Sequence, residues 1–261
     1  NPESQLTRPQ VLWNSSGCMD CRHCMEVCPQ KAISIHDDHI YIHHTQCNGC
    51  GTCIKECPGK ALELEGEWKT VNEILQVVLQ DRDFYEESGG GLTISGGEIL
   101  SQPSFACELL LAAKEEQLHT CCETTGFAAP EIFDRVTEYV DYLLFDMKHW
   151  NSRAHAEGTG VSNELPLLNM RRSIEKGKTV LPRIPVIPEF NDAPDDAIEF
   201  SKLLHEIGAK SCQLLPFNQF GENKYHLLNQ TYAYENYPSL HREDLEAYRN
   251  VFAENNINAF F

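Results

Sequence analysis

The sequence is short of positive charge: 21 Lys and Arg stand against 39 Asp and Glu, a formal net charge of −18. A surface that negative repels phosphate backbones, so nucleic acid is not an expected partner. No run of 18 apolar residues occurs, so no membrane-crossing helix is expected. The opening NPESQLTR has neither a charged n-region nor an apolar h-region, and the expectation is a soluble, cytoplasmic protein. Nucleotide-loop signatures are missing too. In SGGGLTISGGE three glycines precede the apolar stretch and only Gly96 and Gly97 follow it, which is not the G-x-G-x-x-G order, and there is no Walker lysine.

Cysteine is in excess. Eight of the twelve fall between residues 18 and 57, whereas a secreted disulfide scaffold would spread them through a small fold. CMDCRHCMEVCPQKAISI begins at Cys18 and CNGCGTCIKECPGKALEL at Cys47. Laid on each other, the two stretches superimpose Cys18, Cys21, Cys24 and Cys28 on Cys47, Cys50, Cys53 and Cys57. They also place Pro29, Lys31 and Ala32 on Pro58, Lys60 and Ala61. This is a tandem duplication.

Each half is the C-x2-C-x2-C-x3-C-P run of two-cluster ferredoxins, whose fourth cysteine crosses to the other cluster. The expected sets are Cys18, Cys21, Cys24 and Cys57 on one 4Fe-4S cluster, and Cys47, Cys50, Cys53 and Cys28 on the other. Two zinc sites are the competing reading, but zinc motifs join CxxC pairs from separated segments rather than packing four cysteines before a proline. AISIHDDHIYIHH between the halves reads as a hairpin, with His36, His39, His43 and His44 at exposed positions. Cys107, Cys121, Cys122 and Cys212 read as buried small apolar residues.

Beyond residue 67 the pattern alternates. An apolar-periodic helix over 68–88 is followed by strands at 92–96, 118–123, 142–147, 179–187 and 212–217. Helices are expected at 103–117, 130–140, 163–177, 194–208 and 239–254, with 257–261 as a last strand. Near-continuous apolar strands separated by helices mean a parallel sheet in an α/β fold. The strands run into Gly96, Gly97 and Glu98; into Glu123; into Asp146, Met147 and Lys148; and into Asn218, while the fourth carries Arg183. Strand C-termini of parallel sheets share one face, where active sites are built. Any one of these residues could cap a helix; together they suit a zwitterionic, polar ligand.

ISGGE, ETTG, DMKH, RIPVIP and PFNQFGENKYHLL, in that order after the cysteine module, closely resemble the activating enzymes of glycyl radical enzymes. These are radical S-adenosylmethionine (SAM) proteins similar to the pyruvate formate-lyase activator, here in the subgroup with a ferredoxin-like insert. The resemblance covers the chain almost end to end. It implies a partial (β/α)6 barrel formed by 1–13 and 67–261, with 14–66 as an inserted two-cluster ferredoxin-like α+β module. It implies an oxidoreductase that reductively cleaves SAM and abstracts a hydrogen atom from a glycine of a partner enzyme. The module's two clusters would pass electrons from a flavodoxin or ferredoxin, and a monomer is expected.

By the same resemblance, Gly96 and Gly97 meet the SAM amino group and Glu98 fixes their loop. Glu123, Asp146 and Met147 lie near the methionyl end, and Lys148 and Arg183 near the carboxylate and ribose. Asn218 stands where a histidine is usual, and Ile99 where a proline is usual. Asn1 belongs to the SAM site. In the family a C-x3-C-x2-C motif, which holds a third 4Fe-4S cluster, stands just before NPESQ. No such motif occurs in the 261 residues, and the resemblance places it ahead of Asn1. The alternatives are an electron-transfer protein that uses only the duplicated module, or a fragment unable to cleave SAM.

Overall fold

The computed structural model describes residues 2–5, 8–36 and 39–261. It divides into two compact units, Asn1–Lys69 with Gln219–Asn236, and Thr70–Asn218 with Tyr237–Phe261.

The first unit is small and built on two short antiparallel pairs. Strand β1 (Gln10–Trp13) pairs with β4 (Leu62–Glu65), and β2 (Ile33–His36) pairs with β3 (His39–Ile42). Helices α1 (His23–Val27) and α2 (Thr52–Lys55) fall at equivalent places in the two repeats. In β3 the period of two is direct: Ile40 and Ile42 are buried, while His39 and Tyr41 point out. With Val11, Trp13, Ile33 and Leu62 they form the unit's apolar core.

The duplication reappears in the backbone. Asp20 and Gly49, Arg22 and Gly51, and Lys31 and Lys60 all take positive φ. Three of those bends in the first half fall on side-chain-bearing residues, at about 1 kcal/mol each. The sequence grouping put 1–13 with the barrel, whereas here β1 finds its ladder on β4, apart from the parallel sheet.

The second unit carries six parallel strands among the described residues: β5 (Gly91–Ile94), β6 (His119–Thr124), β7 (Tyr142–Asp146), β8 (Thr179–Val186), β9 (Ser211–Pro216) and β10 (Asn258–Phe260). Spatial order follows chain order from β5 to β10, and these two are the edges, which is the layout of an open, partial barrel. The helices are α3 (Val71–Val78), α4 (Arg82–Ser88), α5 (Pro103–Glu115), α6 (Pro130–Thr137), α7 (Ser152–Thr159), α8 (Glu164–Glu175) and α9 (Pro194–Ile207). After β9 the chain passes through α10 (Glu222–Leu227), which belongs to the first unit, and returns through α11 (Glu246–Glu254). Phe133, Leu143, Phe145, Phe200, Leu214 and Phe252, all at most 1 % exposed, anchor the core between sheet and helices.

Three expectations change. The long helix over 68–88 is two helices joined by a 3-10 turn at Leu79–Asp81, because Asp81 leaves helical geometry. The final helix starts at Glu246 rather than near 239: the Leu240 N–H donates to Phe217 O at 2.8 Å and holds that stretch as loop. Helix α7 was unread, its polar sequence being started by Asn151, whose side chain accepts from the Arg153 and Ala154 N–H groups. Among the described residues no helix is long and apolar enough to cross a membrane.

Candidate functional site

The strand ends of the second unit bring most of the singled-out side chains together. After β5 the backbone turns at Gly96, whose φ of +131° is a conformation L side chains rarely adopt. A Cβ there would meet nothing within 4 Å, so the glycine serves the path of the chain.

Glu98 latches this turn to the next strand. Its Oε1 accepts from Leu100 N at 3.1 Å and Thr124 Oγ1 at 2.7 Å; its Oε2 accepts from Thr125 N at 2.9 Å and Thr125 Oγ1 at 2.7 Å. One carboxylate thus holds both threonines of ETTG while also capping the short 3-10 helix Ile99–Ser101 through Leu100 N.

Arg183 is the hub of the site. It lies inside β8, but the register sets it opposite Asp146, the last residue of β7. Its Nη1 donates to Glu123 Oε1 at 2.8 Å; its Nε and Nη2 donate to Asp146 Oδ1 at 2.9 and 2.8 Å. The side chain is only 11 % exposed, so these bonds work in a partly desolvated setting where charge-assisted pairs are strong.

Lys148 Nζ donates to the other Asp146 oxygen at 2.7 Å, and Ser95 Oγ donates to Glu123 Oε2 at 2.6 Å. The hydrogen bond from Arg183, helped by that from Ser95 and opposed by burial, holds the Glu123 carboxyl below its usual range. Two carboxylates and two cations from β6, β7 and β8 therefore balance each other, and Ser95 ties β5 into the same network. Met147 is buried, its N–H donating to Arg183 O at 2.8 Å. Asn218 follows β9 with Phe217 between them. Asn1 lies outside the described residues.

Sequence reading missed Asn191, which is fully buried. Its Nδ2 donates to Lys148 O and to Pro185 O, both at 2.9 Å; its Oδ1 accepts from Ile187 N at 2.7 Å. It also missed Asn163, whose Nδ2 donates to His149 O at 3.0 Å and Trp150 O at 2.8 Å. His149 itself is structural: it is packed on Phe190 and buried, which pulls its pKa below the usual imidazole value.

In the first unit the eight module cysteines line two hollows. Cys18, Cys21, Cys24 and Cys57 share one with Trp13, Ile40 and Leu62. Cys28, Cys47, Cys50 and Cys53 share another with Val11, Ile33 and Ile42. The fourth cysteine of each repeat thus sits with the other repeat's three. The Ala32 N–H donates to Cys28 Sγ at 3.4 Å and the Ala61 N–H to Cys57 Sγ at 3.3 Å, the same bond in both halves. Backbone donors aimed at sulfur suit thiolates rather than thiols. Burial pushes the Cys53 thiol up to about 11.

Of the other cysteines, Cys121, Cys122 and Cys212 are buried as expected, but Cys107 is only half-buried. In the hairpin His36 and His39 are exposed, while His43 and His44 are half-buried: His43 Nε2 meets Ser34 Oγ at 2.8 Å, and His44 lies beneath Arg8, whose Nη2 donates to His44 O.

The description of the radical SAM superfamily matches residues 39–201, and that of a 4Fe-4S dicluster domain matches residues 10–58. Among characterised proteins, the choline trimethylamine-lyase activating enzyme of Oleidesulfovibrio alaskensis is 40 % identical over 253 residues, covering 94 % of this chain and 82 % of that protein. The isethionate sulfite-lyase activating enzyme of Nitratidesulfovibrio vulgaris is 41 % identical over 237 residues, covering 88 % and 77 %. The trans-4-hydroxy-L-proline dehydratase activating enzyme of Clostridioides difficile is 36 % identical over 262 residues, covering 99 % and 86 %. Among solved structures, a domain of a pyruvate-formate lyase-activating enzyme from Bacteroides vulgatus superimposes with a TM-score of 0.54 at 25 % identity, covering 66 % of this chain and 98 % of that one.

Proposed function

Because this chain belongs to the glycyl radical enzyme activating enzymes of the radical SAM superfamily, an activity that reductively cleaves SAM and generates a glycyl radical on a partner enzyme, we propose how its own residues serve that reaction. Iron–sulfur clusters would supply the reducing electron when bound, and a carbon–sulfur bond of the SAM sulfonium is the one that breaks; the protein supplies placement and charge.

The strand-end network is the observation that carries the reading. Gly96 and Gly97 approach the SAM amino group with bare backbone, and Glu98 keeps that turn fixed on ETTG. Glu123 and Asp146 present their remaining lone pairs to the cationic end of SAM. Lys148, at the open rim, faces its carboxylate. Arg183 takes a different part from the one the resemblance suggests. With three donors committed to Glu123 and Asp146, it orients those carboxylates first, and any contact with SAM is secondary. Asn218 offers a hydrogen bond without a proton-switching role. Asn1 is proposed as a SAM-site residue on the resemblance alone.

The eight module cysteines hold two 4Fe-4S clusters in the crossed sets read from the repeat. Both hollows fit this donor set, because each pairs four thiols with an apolar wall and backbone N–H groups on sulfur. A flavodoxin or ferredoxin feeds these clusters, and the protein acts as a cytoplasmic monomer on a glycyl radical enzyme of unassigned substrate class.

The test is anaerobic reconstitution of the full natural chain, then reduction with SAM present. The expected products are 5'-deoxyadenosine and, with the cognate glycyl radical enzyme, an organic radical signal in that partner. Iron near eight per chain with no 5'-deoxyadenosine would favour the alternatives, a fragment unable to cleave SAM or an electron-transfer protein.

A further inference from the structure

From the hydrogen bonds around β7 and β8 we infer that Asn191 is a positioning residue for the SAM site, setting where Lys148 stands at the rim; this rests on the proposed role of Lys148. The need arises where the ladder between β7 and β8 stops. Strand β8 reads TVLPRIPV, and Pro185 has no N–H to donate to β7. The last backbone bond from β7 to β8 is Met147 N to Arg183 O at 2.8 Å. Beyond it the chain carrying Lys148 leaves the ladder while its carbonyl is still inside the protein, where it needs a donor.

Asn191 supplies one. Its amide nitrogen bridges Lys148 O and Pro185 O, so one side chain ties the two chain segments together where the ladder has stopped. Its amide oxygen is occupied by Ile187 N, and its own carbonyl accepts from Tyr248 Oη at 2.8 Å. With zero exposure and every amide atom engaged, it has a single orientation available. The strap Asp146–Met147–Lys148 is therefore pinned at Met147 N and again at Lys148 O. That fixes the point from which the Lys148 side chain extends to Asp146 Oδ2, which Nζ reaches at 2.7 Å. Unpinning Lys148 O would loosen a charge-assisted contact to the SAM carboxylate without removing any group that touches SAM.

Asn191→Asp is the informative variant. It keeps the shape and the acceptor for Ile187 N but loses the two donated bonds. Tyr248→Phe is the control: it removes a bond to the same residue's carbonyl and leaves the Lys148 clamp intact. In the full natural chain with its clusters loaded, N191D should raise the KM for SAM about tenfold and change kcat less than about twofold. Y248F should lower the unfolding temperature and leave KM for SAM at the wild-type value.

A folded N191D with wild-type KM would overturn the inference, as would KM values in both variants that simply track lost stability. If N191D does not accumulate as folded protein, Asn191→Ser, too short to bridge both carbonyls, is judged by the same criteria. Wild type run alongside separates this inference from the function itself: no SAM cleavage by wild type would count against the activity, not against the clamp.

Discussion

Arg183 commits three N–H donors to two carboxylates, and this sets what substitution can do at the site. Arg183→Lys keeps the charge, but a compact ammonium lacks the planar fork whose Nε, Nη1 and Nη2 serve Glu123 and Asp146 together. Leaving one of them without its partner costs about 1–3 kcal/mol, so 5'-deoxyadenosine formation should fall about ten- to a hundredfold in R183K. The same pairing gives Glu123 a pH signature. A carboxyl whose pKa drops on folding contributes stability above its unfolded value and loses it as pH falls through its folded one. Denaturant midpoints followed downward through the ordinary glutamate value of 4.5 should fall in wild type. In E123Q they should fall less steeply over the same window. Equal slopes in the two proteins would mean that Glu123 is not held by Arg183 in solution.

At the level of elements, β6 and β7 meet at Gly126, the glycine of ETTG. Its φ is +72°, and a Cβ would lie 2.0 Å from Cζ of the buried Phe145. Gly126→Ala therefore combines a strained backbone with overpacking, at about 2–4 kcal/mol, measurable as a lower denaturant midpoint. The elements were legible where periodicity was strong. The strands from β5 to β9 and the helices α5, α6, α8 and α9 follow their apolar spacing closely. What stayed hidden had no local signal. Strands β1 and β4 are four residues each and acquire meaning only by pairing with each other. Asn191 looks like any turn residue in EFND, yet the three prolines of TVLPRIPVIP were a clue that this strand would need side-chain donors. The charged strand-end residues could be named from sequence. That Arg183 would be closed on Glu123 and Asp146 could not, because its partners arrive from two other strands.

For the whole molecule, the crossed cysteine sets predict which thiols suffer together. Cys57→Ser should lower iron from about eight to about four per chain in the anaerobically loaded module. Alkylation followed by peptide mapping should then find Cys18, Cys21 and Cys24 labelled, with Cys28, Cys47, Cys50 and Cys53 protected. Labelling of Cys47, Cys50 and Cys53 instead would refute the crossing.

The division of the chain has a further consequence. The backbone passes from one unit to the other three times, at Lys69–Thr70, Asn218–Gln219 and Asn236–Tyr237. A single nick at Asn218–Gln219 or Asn236–Tyr237 leaves the two units covalently joined, whereas one at Lys69–Thr70 leaves residues 1–69 held only by packing against Gln219–Asn236. The cysteine module moved elsewhere as one continuous piece would lack the Gln219–Asn236 segment that packs with it here. A fragment that stops at Lys69 leaves behind Leu228, 2 % exposed in the intact protein, along with the rest of a segment that returns from far down the chain.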